Sequence, residues 1–155
     1  MNLTSQIAKH LKDVHFGVNW TSVNLKETVQ GLDWQQATKK FYSFNTIAAL
    51  VYHINYYIGI VAKVLQGEAL NGSDKYSFDL PPINSQVQWE NLLNKTWADA
   101  ESFATLIEQM PEIKVDEIFS EEKYGTYYRN LQGIIEHCHY HLGQIVLIKK
   151  ILSAG

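Results

Sequence analysis

Apolar side chains recur every three or four residues along most of this chain, the spacing of one face of an α-helix. Four long stretches follow this pattern and predict helices over Leu3–Val29, Asn45–Gln66, Ser85–Met110 and Thr126–Leu152. A shorter helix is predicted at Asp33–Gln36, where the two end residues can form a capping box. No run of alternating apolar and polar residues competes. The chain is therefore predicted to be all-α, with one domain over residues 1–155 built as a four-helix bundle.

The second long helix is apolar almost all the way round. It is expected to end at Gly67, a usual C-terminal signal, and the segment Glu68–Pro82 follows as a surface loop rich in turn residues. A helix with so little polar surface must be covered by neighbouring helices or by a second subunit. We therefore expect a homodimer that buries apolar surface of the long helices.

The composition is that of a soluble globular protein, since 46% of the residues are apolar and 19% are charged. The net charge of −3 argues against nucleic acid as a partner, because a nucleic-acid surface needs a basic stripe. No signal region and no uninterrupted apolar run of about 18 residues is visible, so we expect a cytoplasmic protein without a membrane partner. The single cysteine, Cys138, excludes an internal disulfide and is expected to be a small buried apolar residue.

The segment His137–Ile145 carries the clearest indication of chemistry. His137 and His141 are four residues apart within an apolar stretch. On a helix this spacing amounts to about 40° of rotation, so both imidazoles leave the same face one turn apart. Two such imidazoles can bind one divalent ion at about 2.0–2.1 Å each. His139 lies about 200° round from His137 and is expected to be structural or to support a ligand from outside the ligand face.

Two histidines make only part of a metal site, because such a site usually takes three protein ligands and keeps one position open. His53 is the best candidate for the third ligand. It lies in the middle of the apolar second helix, where an unpartnered imidazole is costly to bury. The alternative is a core histidine satisfied by a hydrogen bond. His10 and His15 have charged sequence neighbours and are expected on a solvated face.

Three polar residues of the fourth helix are further candidates for the site. Gln144 and Asn130 share the face of His137 and could orient a bound water or a ligand imidazole. For Gln144, a packing hydrogen bond to a neighbouring helix is an equal alternative. Arg129, the only arginine, could bind an anionic substrate group, or form an ordinary salt bridge, or stack on a tyrosine. No carboxylate shares this face by spacing, since Glu136 points about 100° away.

Two segments of the chain resemble the DinB superfamily, also described as DinB/YfiT-like metal-dependent hydrolases. They are Ala49–Ile54, with its single histidine, and His137–Ile145, in which two histidines four apart precede Gly-Gln-Ile. The resemblance extends to helix order and implies a four-helix bundle with non-meander connectivity. It implies that His53, His137 and His141 bind a divalent ion, commonly nickel or zinc. It also implies dimers, and characterised relatives include thiol-dependent S-transferases and a mycothiol-dependent maleylpyruvate isomerase.

Together these features suggest a metal-dependent enzyme acting on a small-molecule substrate. The ion would lower the pKa of a bound water or thiol, which gives hydrolysis or thiol S-transfer. The missing general base favours thiol transfer with a low-molecular-weight thiol as cosubstrate, because a metal-bound thiolate needs no separate base. The alternative is a non-catalytic metal-binding stress-response protein that acts through its dimer surface. A bundle with core histidines and no metal would leave three histidines on apolar helices unexplained.

Overall fold

The computed structural model describes residues 1–154 and confirms the all-α prediction. This part of the chain contains no β-strand, and its only β-type pairing is an isolated bridge between Ile118 and Thr126. Three short 3-10 turns lie in the connections. The six α-helices within these residues are α1 (Leu3–Phe16), α2 (Leu25–Val29), α3 (Trp34–Thr38), α4 (Ile47–Leu65), α5 (Gln86–Gln109) and α6 (Tyr127–Ala154).

Polar side chains cap the starts of several helices. Asp33 and Gln36 form the expected capping box at α3, in which each side chain accepts a hydrogen bond from the backbone N–H of the other. The Ser85 hydroxyl accepts a hydrogen bond from the Gln88 N–H at the start of α5. The Gln88 side chain, however, accepts from the Asn84 N–H, one residue earlier than a capping box requires. These caps satisfy N–H groups that have no partner inside a helix.

The first predicted helix, Leu3–Val29, is wrong in its length, because the chain breaks into α1 and α2. Gly17 ends α1 in an extended conformation, and a Cβ there would lie 2.7 Å from the Asp13 carboxylate. Asn19 then donates hydrogen bonds to the carbonyls of Asp13 and Val23, and Asn24 caps α2. Asparagine side chains thus replace the helical hydrogen bonds of residues 17–24. The spacing of apolar residues gives no sign of this break.

The four long helices pack in a defined set of pairs. Helix α5 packs against both α1 and α4, and α6 packs against the same two helices. Consecutive long helices α1 and α4 make at most marginal contact within residues 1–154. Large buried side chains fill the core between the four long helices. One of them is Trp89, whose indole N–H donates to the Leu32 carbonyl. This packing brings the middle of α4 next to the middle of α6.

The loop between α4 and α5 folds back over α4. The Tyr56 hydroxyl donates to the Ser73 carbonyl at 3.0 Å and accepts from the Ser73 N–H at 3.1 Å. A neighbouring hydrogen bond joins the Tyr57 hydroxyl to the Asp74 carboxylate. Part of the apolar surface of α4 is therefore covered by the chain's own loop, which weakens the sequence-based reason for a dimer. The same loop brings polar groups towards the histidines.

Helix α4 is long and apolar enough to cross a membrane by length and composition alone. More than half of its most apolar window is buried against the rest of the protein. A core helix passes the same test, so the finding is compatible with a soluble protein.

Candidate metal centre

The imidazoles of His53, His137 and His141 meet where α4 packs against α6. The Nε2 atom of His137 lies 3.0 Å from Nε2 of His53 and 3.1 Å from Nε2 of His141. One ligand atom from each residue lies within 4.8 Å of the others. The helix packing therefore brings together the three histidines that the sequence indicated as candidate ligands.

Hydrogen bonds to the second ring nitrogen orient two of these imidazoles. His141 Nδ1 donates to the Gln144 side-chain oxygen at 2.7 Å, and His53 Nδ1 donates to the Ser77 carbonyl at 3.3 Å. An oxygen acceptor on Nδ1 requires the proton there, which leaves Nε2 as a bare lone pair. Two lone pairs therefore face the Nε2 atom of His137 from about hydrogen-bonding distance. A single proton on His137 cannot be shared well with both, whereas one cation satisfies all three nitrogens.

The charge state of the cluster suits a cation. Burial, together with the neighbouring His141 and His53 rings, lowers the pKa of His137 to about 4. Burial and repulsion from His141 also lower the pKa of His53, although the Ser77 carbonyl and the Asp74 carboxylate partly offset this. Both imidazoles are then neutral at pH 7, which is the form that binds metals. The Nδ1 atom of His137 is buried without a hydrogen-bond partner in residues 1–154.

The spacing of the nitrogens fits metal ligation. Nitrogens bound to one ion at about 2.0–2.1 Å lie roughly 2.8–3.4 Å apart for bond angles between 90° and tetrahedral. The two Nε2 separations, 3.0 and 3.1 Å, lie within this range. The three histidines therefore lie close enough together to bind a divalent ion.

Aromatic rings enclose the histidines on several sides. The Phe78 ring stacks on His53 at 3.9 Å between centroids, and the edge of Tyr57 contacts both His53 and His137. Tyr140 packs edge-on against His141. A cavity of about 470 Å³ opens beside the cluster, so a small molecule can reach it. It is lined by His53, Tyr57, Asp74, Ser77, Phe78, His137, Tyr140 and His141.

Asp74 is a candidate that the sequence did not reveal. Its carboxylate lines the cavity beside the histidines and accepts a hydrogen bond from the Tyr57 hydroxyl. The sequence places no carboxylate on the ligand face of the fourth helix. Asp74 instead belongs to the α4–α5 loop, which spacing along that helix does not describe. Tyr57 could have been found, because it lies four residues after His53 and so shares its helix face. No sequence signal locates Asp74 or Phe78 beside the cluster.

The three other predicted site residues have different surroundings. Gln144 contacts His141 directly, on the same helix rather than across to a neighbouring one. Asn130 donates to the carbonyls of Tyr124 and Thr126 at 2.8 Å each, so its amide is committed to the start of α6. Arg129 forms a salt bridge to Glu136 at 3.1 Å. This is the ordinary salt bridge that the sequence allowed, although Arg129 also lines a second cavity.

The remaining histidines and the cysteine lie outside the cluster. His139 faces a different cavity, with His10 and Asp13 in its lining, as the rotation argument predicts. His15 was expected on a solvated face and is instead completely buried. The reason is that helical rotation stacks His15 on the buried Leu11, whose carbonyl accepts from its Nδ1 at 2.8 Å. Cys138 is buried as expected, and burial raises its pKa to about 12.

No protein-family model matches this chain, and searches of curated proteins and of solved structures also returned no match.

Proposed function

We propose that this protein is a divalent-metal-dependent enzyme in which His53, His137 and His141 bind the ion, with nickel or zinc as the metal. The observation that carries the proposal is the convergence of three Nε2 atoms, two of which must be bare lone pairs because their Nδ1 atoms donate to oxygens. The open cavity beside them leaves room for a substrate. Gln144 and Ser77 support the site by holding the rings of His141 and His53 in place.

We also propose that the four long helices form a four-helix bundle with the non-meander connectivity of the DinB superfamily. The support is the packing of α1 and α4, which both contact α5 and α6 but scarcely contact each other within residues 1–154. The first two long helices of the chain, α1 and α4, are then diagonal partners rather than neighbours. An up-and-down bundle would place them side by side.

Two reactions are compatible with such a site, hydrolysis and transfer of a low-molecular-weight thiol. A bound divalent ion supplies Lewis acidity and lowers the pKa of a water or thiol ligand towards neutrality. Asp74 provides a carboxylate that can accept the proton of an attacking water, and the Tyr57 hydroxyl holds that carboxylate towards the cavity. This carboxylate favours hydrolysis and removes the reason for preferring thiol transfer. Thiol transfer remains the second candidate because it requires no such base.

The test compares metal-loaded with chelated protein. Each sample is assayed with ester and amide substrates, and separately with low-molecular-weight thiols plus an electrophilic acceptor. Turnover that requires both metal and thiol would identify a thiol transferase, and metal-dependent turnover without thiol would identify a hydrolase. Tightly bound metal with no turnover in either assay would support the non-catalytic metal-binding alternative.

Replacement of Asp74 separates the two reactions. If Asp74 is the base of a hydrolase, Asp74→Asn should lower kcat by about 100-fold or more and leave the bound metal in place. Thiol transfer should change little in the same variant. Asp79→Asn is the matched control, because Asp79 is an exposed aspartate of the same loop. Equal losses in the two variants would exclude Asp74 as the base.

We further propose that the protein is a homodimer. Supporting this, Tyr140 and Leu147 form an exposed apolar pair two turns apart on α6, with 67% and 56% of their surface accessible. Exposed Phe44 borders the same surface beside Leu147. Light scattering should return twice the chain mass, and a monomer mass across a wide concentration range would exclude the dimer.

A further inference from the structure

A second and larger cavity lies beside the histidine cluster, along α6. It has a volume of about 670 Å³, in the range of small-molecule sites. Its lining includes Tyr57, Asp74 and His137, which also line the smaller cavity over the metal ligands. The two cavities therefore adjoin each other at these three residues. The apolar part of the larger cavity's wall consists of Ile60, Val61, Leu70, Phe119 and Ile134.

Arg129 lies along the side of this cavity, over a glycine of α6. A Cβ added at Gly133 would lie 3.3 Å from the Arg129 Nη1 atom, which is closer than side-chain atoms ordinarily approach. Glycine within a helix is less favourable than alanine. In this position it gives the guanidinium room to extend towards Glu136, seven residues further along the helix. The charged group is thus brought to within one or two turns of His137.

The charges around Arg129 leave it able to bind a ligand. Its contact with Glu136 uses one of its five N–H donors, and both side chains are more than 60% exposed. An exposed pair of this kind contributes little, so a ligand can compete with it. Lys123 and Glu121 line the same cavity and pair with each other at 3.1 Å. The lining is therefore close to neutral, and recognition of an anion depends on the planar fork of Arg129.

We propose that the substrate of the three-histidine site is a small molecule with an apolar body and a carboxylate. The carboxylate binds the guanidinium of Arg129, the apolar body lies against Ile60, Leu70 and Ile134, and the reacting group extends to His137. This assignment rests on the proposed metal-dependent function, because it places the reaction at that site. It adds the class of substrate and the residue that selects it.

Binding of two matched probes tests the proposal. The acid 4-phenylbutanoate and its neutral amide, 4-phenylbutanamide, differ only in the group that Arg129 would recognise. Isothermal titration into metal-free protein keeps the carboxylate from binding the ion instead. The acid should bind more tightly than the amide, and Arg129→Gln should reduce its affinity about five- to tenfold and leave the amide unchanged. The affinity of Arg129→Lys for the acid should lie between those of wild type and Arg129→Gln, because lysine keeps the charge but lacks the planar guanidinium.

A second variant should change the affinity for the acid in the opposite direction. Glu136→Gln removes the competing carboxylate and should raise the affinity for the acid about two- to fivefold. If Arg129 and Glu136 serve only as a helix salt bridge, both variants should lower the melting temperature alike and leave the acid's affinity unchanged. Lys150→Gln is the charge control, because it removes one exposed cation of α6 that does not line this cavity.

The outcomes separate this proposal from the metal site. Equal affinity of wild type for acid and amide, absence of binding by either probe, or equal affinities of wild type and Arg129→Gln for the acid would overturn the substrate assignment. All these variants should bind nickel or zinc like the wild type, so their metal content reports on the metal site independently. A wild type that binds no metal but prefers the acid would overturn the proposed function and leave the carboxylate site standing.

Discussion

The histidines near α6 form two groups with different surroundings: His53, His137 and His141 in one, and His139 and His15 in the other. His137 and His141 of α6 meet His53 beside an open cavity. His139, between them in the sequence, faces the other way, near enough to the buried His15 for its charge to lower the pKa of that residue. In both groups Nδ1 donates to a protein oxygen, from His141 to Gln144 and from His15 to the Leu11 carbonyl.

The difference lies at the second nitrogen. The Nε2 atom of His141 is directed at the other imidazoles of the cluster, 3.1 Å from His137. The Nε2 atom of His15 is buried without a partner in residues 1–154 and belongs to no group of potential metal ligands there. A satisfied Nδ1 is therefore no sign of a metal ligand. Convergence of several Nε2 lone pairs next to accessible space is the distinguishing feature.

Removal of the ligand histidines should give the largest effect. His137→Ala and His141→Ala should each lower metal affinity by more than about 100-fold, since loss of a residue that merely orients a ligand already costs about 10–100-fold. His139→Ala should bind metal like the wild type because its ring faces another cavity. Metal content after dialysis against a weak chelator measures this. Equal losses in the three variants would remove the distinction between the two groups.

Loss of the support for His141 should give a smaller effect on the same measurement. Gln144→Ala removes the oxygen that accepts from His141 Nδ1 and should lower metal affinity about 10–100-fold. Gln132→Ala is the matched control, a half-buried glutamine of α6 that makes no hydrogen bond to a histidine. Identical affinities in the two variants would show that ring orientation does not depend on Gln144.

Substitution of His15 should change the pH dependence of the protein's stability and leave metal binding unchanged. Burial lowers its pKa from 6.5 to about 4, so the unfolded chain takes up a proton more readily than the folded protein does. The contribution of His15 to stability is therefore complete above pH 6.5 and declines as the pH falls towards 4. Between pH 7.5 and 5, metal-free wild type should lose about 2 kcal/mol more unfolding free energy than His15→Leu. Urea unfolding at both pH values measures this, and parallel losses would show that His15 titrates normally.

The fold was largely predictable because apolar periodicity and capping residues act locally. Helices α4, α5 and α6 begin and end within two residues of the predicted positions. The length of the first helix was not predictable, because the break after α1 depends on asparagine side chains that donate hydrogen bonds to nearby carbonyls. The burial of His15 was missed for a related reason. Its charged sequence neighbours lie on other faces of α1, whereas the residue one turn earlier, Leu11, determines its surroundings.

The candidate site could be predicted only where it lies on helices. Helical rotation selected His137 and His141 and set His139 aside, and an unpartnered histidine within an apolar helix indicated His53. Asp74 and Phe78 reach the site from a loop whose path depends on hydrogen bonds such as that between Tyr56 and Ser73. No spacing rule describes such a path. The part of the candidate site that this loop supplies, including the proposed base Asp74, could therefore not be predicted from the sequence.

X-ray absorption spectroscopy of protein loaded with one equivalent of nickel or zinc can count the imidazole nitrogens bound to the ion. We expect one ion per chain with three imidazole nitrogens at about 2.0–2.1 Å, and an unchanged spectrum for His139→Ala. A shell with fewer than three imidazoles, or failure of wild-type protein to retain the ion, would contradict the proposed three-histidine site.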